Sequence, residues 1–141
     1  VTSIQAGAFE DNKKLTKIII GSNVSSIGEY AFSGCTKLTT VTIGKNVTKI
    51  GAKAFYKCTK LKQITIPSKV NYIGKQAFYG CKKLKNITIK TKKLTSKKTG
   101  KWAFKGIYSK ATVKVPKSKL KTYKKLLKSK GVGSKAKYKK L

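Results

Sequence analysis

The sequence predicts a right-handed solenoid, in which short parallel strands wind into successive coils and a helix caps the C-terminal end. Three observations support this fold class. Leu15, Leu38, Leu61 and Leu84 recur at a fixed interval of 23 residues, and a fixed period of 20 to 50 residues is typical of repeat architectures. Each unit begins with strand spacing and ends with helical-turn spacing. A single apolar helical stripe follows the last strand.

Other apolar residues keep the same register as the leucines, so each unit has fixed slots. These slots hold Ile4, Ile27, Ile50 and Ile73; Phe9, Phe32, Phe55 and Phe78, each preceded by Ala; and Cys35, Cys58 and Cys81. One unit cannot bury its apolar face alone, so neighbouring units must stack and share a core. We expect the cysteines to be small buried residues without disulfides, since identical slots give parallel side-chain vectors.

Within one unit the apolar spacing changes from strand to turn. Leu38, Val41 and Ile43 are spaced as on a strand with one buried face. Val47 and Ile50 predict a second short extended segment, and the residues around Phe55 predict a helical turn. The register predicts five parallel strands, beginning near Thr16, Thr39, Lys62, Lys85 and Ala111.

The period divides the chain into a solenoid over residues 1–116, a capping helix over 117–130 and a basic mobile tail over 131–141. The first unit is partial, so we expect further repeats upstream, and the last is irregular, as terminal repeats often are. Ser118 is the predicted helix N-cap, and Leu120, Tyr123, Leu126 and Leu127 form the apolar stripe. A basic amphipathic helix on an anionic membrane is the alternative for this stretch.

The charge is strongly basic: the net charge is +32, with 35 Lys, no Arg and three acidic residues. Such a chain attracts polyanions, including an anionic wall polymer. Specific nucleic-acid recognition is not expected, because guanidinium groups supply the commonest base-specific contact. No apolar run is long enough to predict a transmembrane segment.

The residue inventory argues against an enzyme. His is absent, and Glu10, Asp11 and Glu29 are the only acids, all near the N-terminus. General acid–base catalysis at neutral pH usually needs either His or a pair of carboxylates. Neither zinc-ligand spacing nor a calcium-binding cluster of acids occurs. We therefore expect no catalytic residue, no metal and no cofactor.

The repeat resembles the BspA-like, or Treponema-type, leucine-rich repeat, with the consensus L-x-x-I-x-I-P-x-x-V-x-x-I-G-x-x-A-F-x-x-C. The match runs from Leu15 to about Ile107 and is specific in Ile50-Gly51, Ala54-Phe55 and Cys58 and their equivalents. Members of this family are mainly exported bacterial and protozoan surface proteins associated with adhesion. The resemblance implies an extracellular, non-enzymatic module that binds a host or microbial surface protein or glycan.

Two candidate binding surfaces follow from the register. The outward residues of the predicted strands form two columns, which are Lys17, Thr40, Gln63, Asn86 and Thr112, and Ile19, Thr42, Thr65, Thr88 and Lys114. The alternative for this face is that Thr merely suits a solvated strand. The candidate polyanion patch is Lys117, Lys119, Lys121, Lys124, Lys125, Lys128, Lys130, Lys135, Lys137, Lys139 and Lys140.

Aromatic residues outside the core slots form a third set. Tyr56 and Tyr79 follow the core phenylalanines and are expected to stack on each other, and Tyr30 and Trp102 share the slot before Ala. Exposed rings could stack on sugar, although partly buried packing is the alternative. Three functions therefore remain open at this point: adhesion or ligand binding, polyanion binding by lysine, and a structural spacer.

Overall fold

The structure, a computed structural model, describes residues 2–141 and is a parallel β-solenoid of about six coils. The strands within that range are β1 Ser3–Ile4, β2 Lys17–Ile19, β3 Ser26–Ile27, β4 Thr40–Thr42, β5 Lys49–Ile50, β6 Gln63–Ile66, β7 Tyr72–Ile73, β8 Asn86–Ile89, β9 Thr112–Val115 and β10 Lys137–Lys140. One helix, α1, spans Leu120–Ser129 and follows a short 3-10 turn at Lys117–Lys119.

The strands stack on two sides of the solenoid, and every pairing is parallel. On one side, β1, β3, β5 and β7 form a ladder in which Ile27 pairs with Ile50 and Ile50 with Ile73. On the other side lie β2, β4, β6, β8, β9 and β10; their outward surface is called the strand face below. The predicted parallel solenoid and its 23-residue register are confirmed.

The phenylalanines form a continuous stack through the core. Ring centroids of successive residues are 5.4, 5.3, 5.2 and 5.2 Å apart from Phe9 to Phe104. Phe32, Phe55, Phe78 and Phe104 are fully buried, whereas Phe9, at the end of the stack, is 41% exposed. The stack therefore runs through every coil from Phe9 to Phe104, and only its first ring is open to solvent.

The cysteines are free, buried thiols that also link the coils. The thiol of Cys58 donates to the carbonyl oxygen of Phe32 one coil earlier at 3.1 Å, and Cys81 donates to Phe55 in the same way. Burial raises the pKa of Cys81 to about 12 and raises that of Cys58 well above its ordinary range. These thiols are thus packing residues with a weak donor function, not reactive groups.

The glycine that follows each buried isoleucine lets adjacent coils approach closely. A Cβ atom at Gly74 would lie 2.3 Å from the backbone nitrogen of Ala52, and one at Gly51 would lie 2.7 Å from that of Glu29. Real side chains do not tolerate such distances to backbone, so only Gly fits this slot. The specific Ile-Gly pair of the repeat is explained by this contact between coils.

The helix α1 is fixed to the array by its apolar stripe. Tyr123, Leu126 and Leu127 are buried. The Tyr123 hydroxyl donates to the carbonyl oxygen of Thr91 at 2.8 Å and accepts from the Leu94 amide at 3.2 Å. The stripe thus faces the solenoid, so the membrane-surface alternative for this helix is wrong.

The predicted N-cap at Ser118 is also wrong. The N-cap is Lys119, which follows the 3-10 turn, and no side chain caps α1. The amide of Lys119 already donates to the Pro116 carbonyl oxygen at 2.8 Å, so the chain is turning before the helix begins.

Residues 131–141, predicted to be a mobile tail, instead complete the last coil. β10 pairs with β9 in parallel, with Tyr138 opposite Val113, and Val132 is buried. A Cβ atom at Gly131 would meet the Lys105 backbone at 2.6 Å, which places this segment against the preceding coil. Alternation of Ala136 and Tyr138 with lysines, a period of two, explains why a strand forms. The prediction of five strands on the strand face therefore missed the sixth, β10.

Candidate binding surfaces

The strand face carries the two predicted columns in register. Lys17 lies opposite Thr40 and Ile19 opposite Thr42. Further along, Gln63, Asn86 and Thr112 are aligned, as are Thr65, Thr88 and Lys114. β10 continues both columns with Lys137 and Lys139, which the sequence reasoning had assigned to the tail. The outward residues of β4, β6 and β8 on the strand face are thus polar and uncharged, whereas those of β10 are lysines.

A depression of about 420 Å³ lies on the strand face where the ladder is interrupted. Within residues 2–141, β4 pairs with β2 and β6 with β8, but β4 and β6 are not paired with each other. A long 3.4 Å bond from the Lys62 amide to the Thr39 carbonyl oxygen lies just before them. The depression is lined by Thr40, Val41, Thr42, Ile43, Gln63, Ile64, Thr65, Asn86, Thr88 and Lys90. Hydroxyl, amide and peptide groups there can bind a polar ligand through hydrogen bonds. Nothing in the sequence period signalled this gap.

The predicted polyanion patch is divided by the fold. Lys117, Lys121, Lys124 and Tyr138 line one cavity of about 420 Å³. Lys125 lies in a different groove, lined by Leu94 and Leu126 among others. The Lys130 ammonium donates to the Ser96 carbonyl oxygen at 3.0 Å. Lys137 and Lys139 of β10 lie on the strand face, whereas Lys140, opposite the buried Val115, lies on the other side of the strand. The exposed Lys128 and Lys135 lie on α1 and in the turn before β10, so the patch is divided into several smaller surfaces.

Tyr138 projects from β10 towards α1. Its hydroxyl is buried without a hydrogen-bond partner, and burial raises the pKa of this phenol to about 12. The Lys124 ammonium lies 5.9 Å from the ring centroid. The neutral phenol beside three lysines contributes no negative charge, so their positive field stays uncompensated at physiological pH.

The aromatic residues outside the core stack as predicted and also contact lysines. The rings of Tyr56 and Tyr79 are 5.3 Å apart and nearly parallel, and Trp102 follows at 6.3 Å. Tyr30 and Trp102 are each 37% exposed. Several ammonium groups lie within about 5.5 Å of these rings, and the sequence reasoning did not predict those contacts. The missed signal is that the two slots flanking Ala-Phe both hold lysine in some coils and aromatic residues in others.

Acidic partners for the lysines are scarce. Among the described residues, the sole ion pair joins Lys13 and Asp11 at 3.8 Å, and it is exposed. In the same range, no group of His, Cys, Asp and Glu is arranged to hold a metal ion. The helix that the structure describes is too short and too polar to cross a membrane. The surface chemistry of residues 2–141 is therefore dominated by unpaired ammonium groups.

Comparison with solved structures places the fold among bacterial leucine-rich repeat proteins. A Treponema pallidum leucine-rich repeat protein has a TM-score of 0.72 at 28% identity, over 81% of this chain and 52% of that one. A Bacteroides ovatus leucine-rich repeat protein has 0.69 at 28%, over the whole of this chain and 42% of that one. The pneumococcal vaccine antigen PcpA has 0.69 at 20%, over the same shares, a likeness of fold alone. The chain thus spans about half the length of these proteins.

No curated protein sequence matches the chain significantly. The family described as the BspA type leucine-rich repeat region matches residues 2–130 in six copies. That range extends from the first described coil to the end of α1 and stops before β10. The chain belongs to the BspA type leucine-rich repeat family.

Proposed function

We propose that this chain is a non-enzymatic binding and adhesion domain at the cell surface or outside the cell, and that it contacts its partner with the strand face. The observation that carries the proposal is the alignment of two columns of polar side chains from β6 to β10 on one paired sheet. A rigid sheet holds these groups in place before binding, which lowers the entropy lost on association.

The extracellular setting is inferred from family membership and from the fold shared with a pneumococcal vaccine antigen. The partner is a host or microbial surface protein or glycan. Its chemistry follows from the strand face: hydrogen-bonding groups over the depression, and acidic groups opposite Lys114, Lys137 and Lys139. Complementary charge would set the orientation of the partner on the face.

Adhesion can be tested with fluorescent beads that carry the full chain and are applied to cultured epithelial cells. In one variant, Gln63, Thr65 and Asn86 are all replaced by alanine; in the control, the exposed Asn23 and Ser68 away from the strand face are replaced. Three lost hydrogen bonds of about 0.5–1.5 kcal/mol each correspond to at least a tenfold loss of affinity. Unchanged adhesion of the triple variant would contradict the assignment of the strand face.

A second candidate function is polyanion binding, including attachment to an anionic wall polymer. It is favoured by the three lysines around Tyr138 and by the lack of acidic residues after Glu29. Lysine neutralises anions without reading bases, so different polyanions should bind alike and weaken together as salt rises.

Heparin serves as the polyanion probe, titrated at several salt concentrations. Replacing Lys117, Lys121 and Lys124 by Gln should weaken binding and flatten its salt dependence more than replacing the exposed Lys14, Lys37 and Lys45, which removes the same charge. Equal losses in the two variants would show that the C-terminal lysines are only part of a uniform background. A strong preference for one nucleic-acid sequence would contradict this function.

A further inference from the structure

A strip of aromatic and lysine side chains crosses four consecutive coils on the surface formed by the Ala-Phe turns. It is called the aromatic–lysine strip here and comprises Tyr30, Lys53, Tyr56, Lys57, Tyr79, Lys101, Trp102 and Lys105. It lies among the turns, and its last residue, Lys105, packs against Gly131 just after α1. Three coil steps of about 4.8 Å give the strip a length of roughly 14 Å.

The lysines of the strip are held over its rings. The Lys53 ammonium lies 5.4 Å from the Tyr30 ring centroid and 5.2 Å from that of Tyr56, so it bridges two coils. The ammonium groups of Lys101 and Lys105 lie 4.6 and 4.2 Å from the Trp102 centroid. Such contacts fix flexible lysine side chains in place, and a charge that is fixed before binding loses less entropy when an anion arrives.

The exposed rings are not required by the backbone on which they sit. The slot before Ala-Phe is left-handed in every coil: φ is 66° at Gly7, 59° at Tyr30, 55° at Lys53, 54° at Gln76 and 58° at Trp102. A bulky residue in this conformation is uncommon and strained. Gly7 fits this slot without a side chain, so a ring at Tyr30 or Trp102 can be replaced by glycine without adding backbone strain.

The faces of the rings are already occupied. Tyr56 stacks on Tyr79, and two ammonium groups cover Trp102. Bases of a single-stranded nucleic acid bind by stacking on open ring faces, and these contacts cover faces of Tyr56, Tyr79 and Trp102. A cavity of about 350 Å³ lies beside Tyr79, where Gly80 and Gly106 carry no side chains, and Lys57 and Lys82 reach its rim. A compact unit with anionic substituents fits that space better than a stacked base.

From these contacts we propose that the aromatic–lysine strip is a binding site for a linear anionic polysaccharide, whose sulfate or carboxylate groups meet the fixed ammonium groups. This proposal rests on the second candidate function, polyanion binding, and gives it a defined site. The rings orient the lysines, and the cavity beside Tyr79 accepts part of the sugar chain. Affinity therefore depends on the rings as well as on the total charge.

The test measures the Kd of the full chain for a heparin octasaccharide over a salt series, with poly(dT) of similar charge as the competing class. Trp102→Gly keeps every lysine and suits the backbone, so affinity should fall at least fivefold at physiological salt with an unchanged salt slope. Trp102→Tyr should restore most of the affinity. Lys105→Gln should lower both affinity and slope, whereas Lys45→Gln, which removes one exposed lysine elsewhere, should change the affinity less than twofold. Circular dichroism checks that each variant is folded.

The outcomes separate the site from the function on which it rests. If every variant binds heparin as the unaltered chain does, polyanion binding stands and the strip is not its site. If the unaltered chain does not bind heparin, polyanion binding itself fails, and this proposal with it. Tighter binding of poly(dT), with loss on Trp102→Gly, would overturn the polysaccharide assignment in favour of single-stranded nucleic acid.

Discussion

The regular coils over residues 15–89 and the C-terminal part over 90–141 are held together in different ways. In the regular coils the core contacts are repeated: phenylalanine stacks on phenylalanine, and each cysteine donates to the preceding coil. In the C-terminal part, single contacts such as the two hydrogen bonds of the Tyr123 hydroxyl have no equivalent elsewhere. Stability in the regular coils is thus spread over neighbours, whereas the end depends on individual residues.

The largest effect is expected in the middle of the phenylalanine stack. Phe55 is fully buried between Phe32 and Phe78, so Phe55→Ala removes contacts with two coils and leaves a cavity. The free energy of unfolding should fall by about 3–5 kcal/mol, measured by urea denaturation. The same substitution at Phe9, which is partly exposed, is the matched control and should cost much less. Equal costs at the two positions would argue against a shared, neighbour-dependent core.

A smaller and more local effect is expected at Tyr123. Tyr123→Phe keeps the ring but leaves the Leu94 amide and the Thr91 carbonyl group without a partner, at a cost of about 1–3 kcal/mol. The exposed Tyr72→Phe should be nearly neutral. In Tyr123→Phe, the rate of amide hydrogen exchange should rise in residues 90–141 and stay low in the regular coils. A uniform rise across the chain would show that the two parts unfold as one unit.

The cysteine contacts provide a pH-dependent comparison. Cys81→Ala should cost about 1–2 kcal/mol at pH 7 through lost packing. Because the pKa of the buried Cys81 thiol is raised to about 12, the folded thiol stays protonated while the unfolded one ionises from about pH 9 upward. The cysteine therefore stabilises the fold fully below pH 9 and loses about 1.4 kcal/mol of stabilisation per pH unit as pH rises towards 12. A contribution of about 1–2 kcal/mol is thus offset about one pH unit above 9 and changes sign beyond that.

The difference in unfolding free energy between unaltered chain and Cys81→Ala should accordingly shrink above pH 9. Lysine deprotonation in the same range affects both proteins and cancels from the difference. A difference that is constant up to pH 11 would mean that the thiol is accessible to solvent in the folded state.

The smallest effect concerns repeated lysines on the surface. Lys37, Lys60 and Lys83 are exposed and share one slot in successive coils, so like charges face one another. Lys60→Glu should relieve this repulsion and raise the free energy of unfolding by about 0.2–1 kcal/mol at low salt. Lys60→Gln is the control and should give a smaller gain. A destabilising Lys60→Glu would show that the column does not bring these charges together.

The sequence predicts the regular coils better than it predicts the C-terminal part. The period alone placed the phenylalanine stack, the buried cysteines and the outward columns, because each slot repeats its environment. It did not predict β10, since the density of lysine concealed the alternation of Ala136 and Tyr138. The interruption between β4 and β6 and the ammonium groups over the rings also went unpredicted, because they depend on packing between coils rather than on the residue type in one slot.

The central claim is that residues 131–141 form the last coil of the array, which extends the strand face with lysine. Site-resolved hydrogen exchange tests it, because the Lys137 and Leu141 amides donate to the Ala111 and Val115 carbonyl oxygens at 2.8 and 2.9 Å. Alternate amides of a strand point to opposite sides, so those of Tyr138 and Lys140 point away from β9. We predict slow exchange at Lys137 and Leu141 and fast exchange at Tyr138 and Lys140. Fast exchange at all four amides would contradict the account and restore the mobile tail.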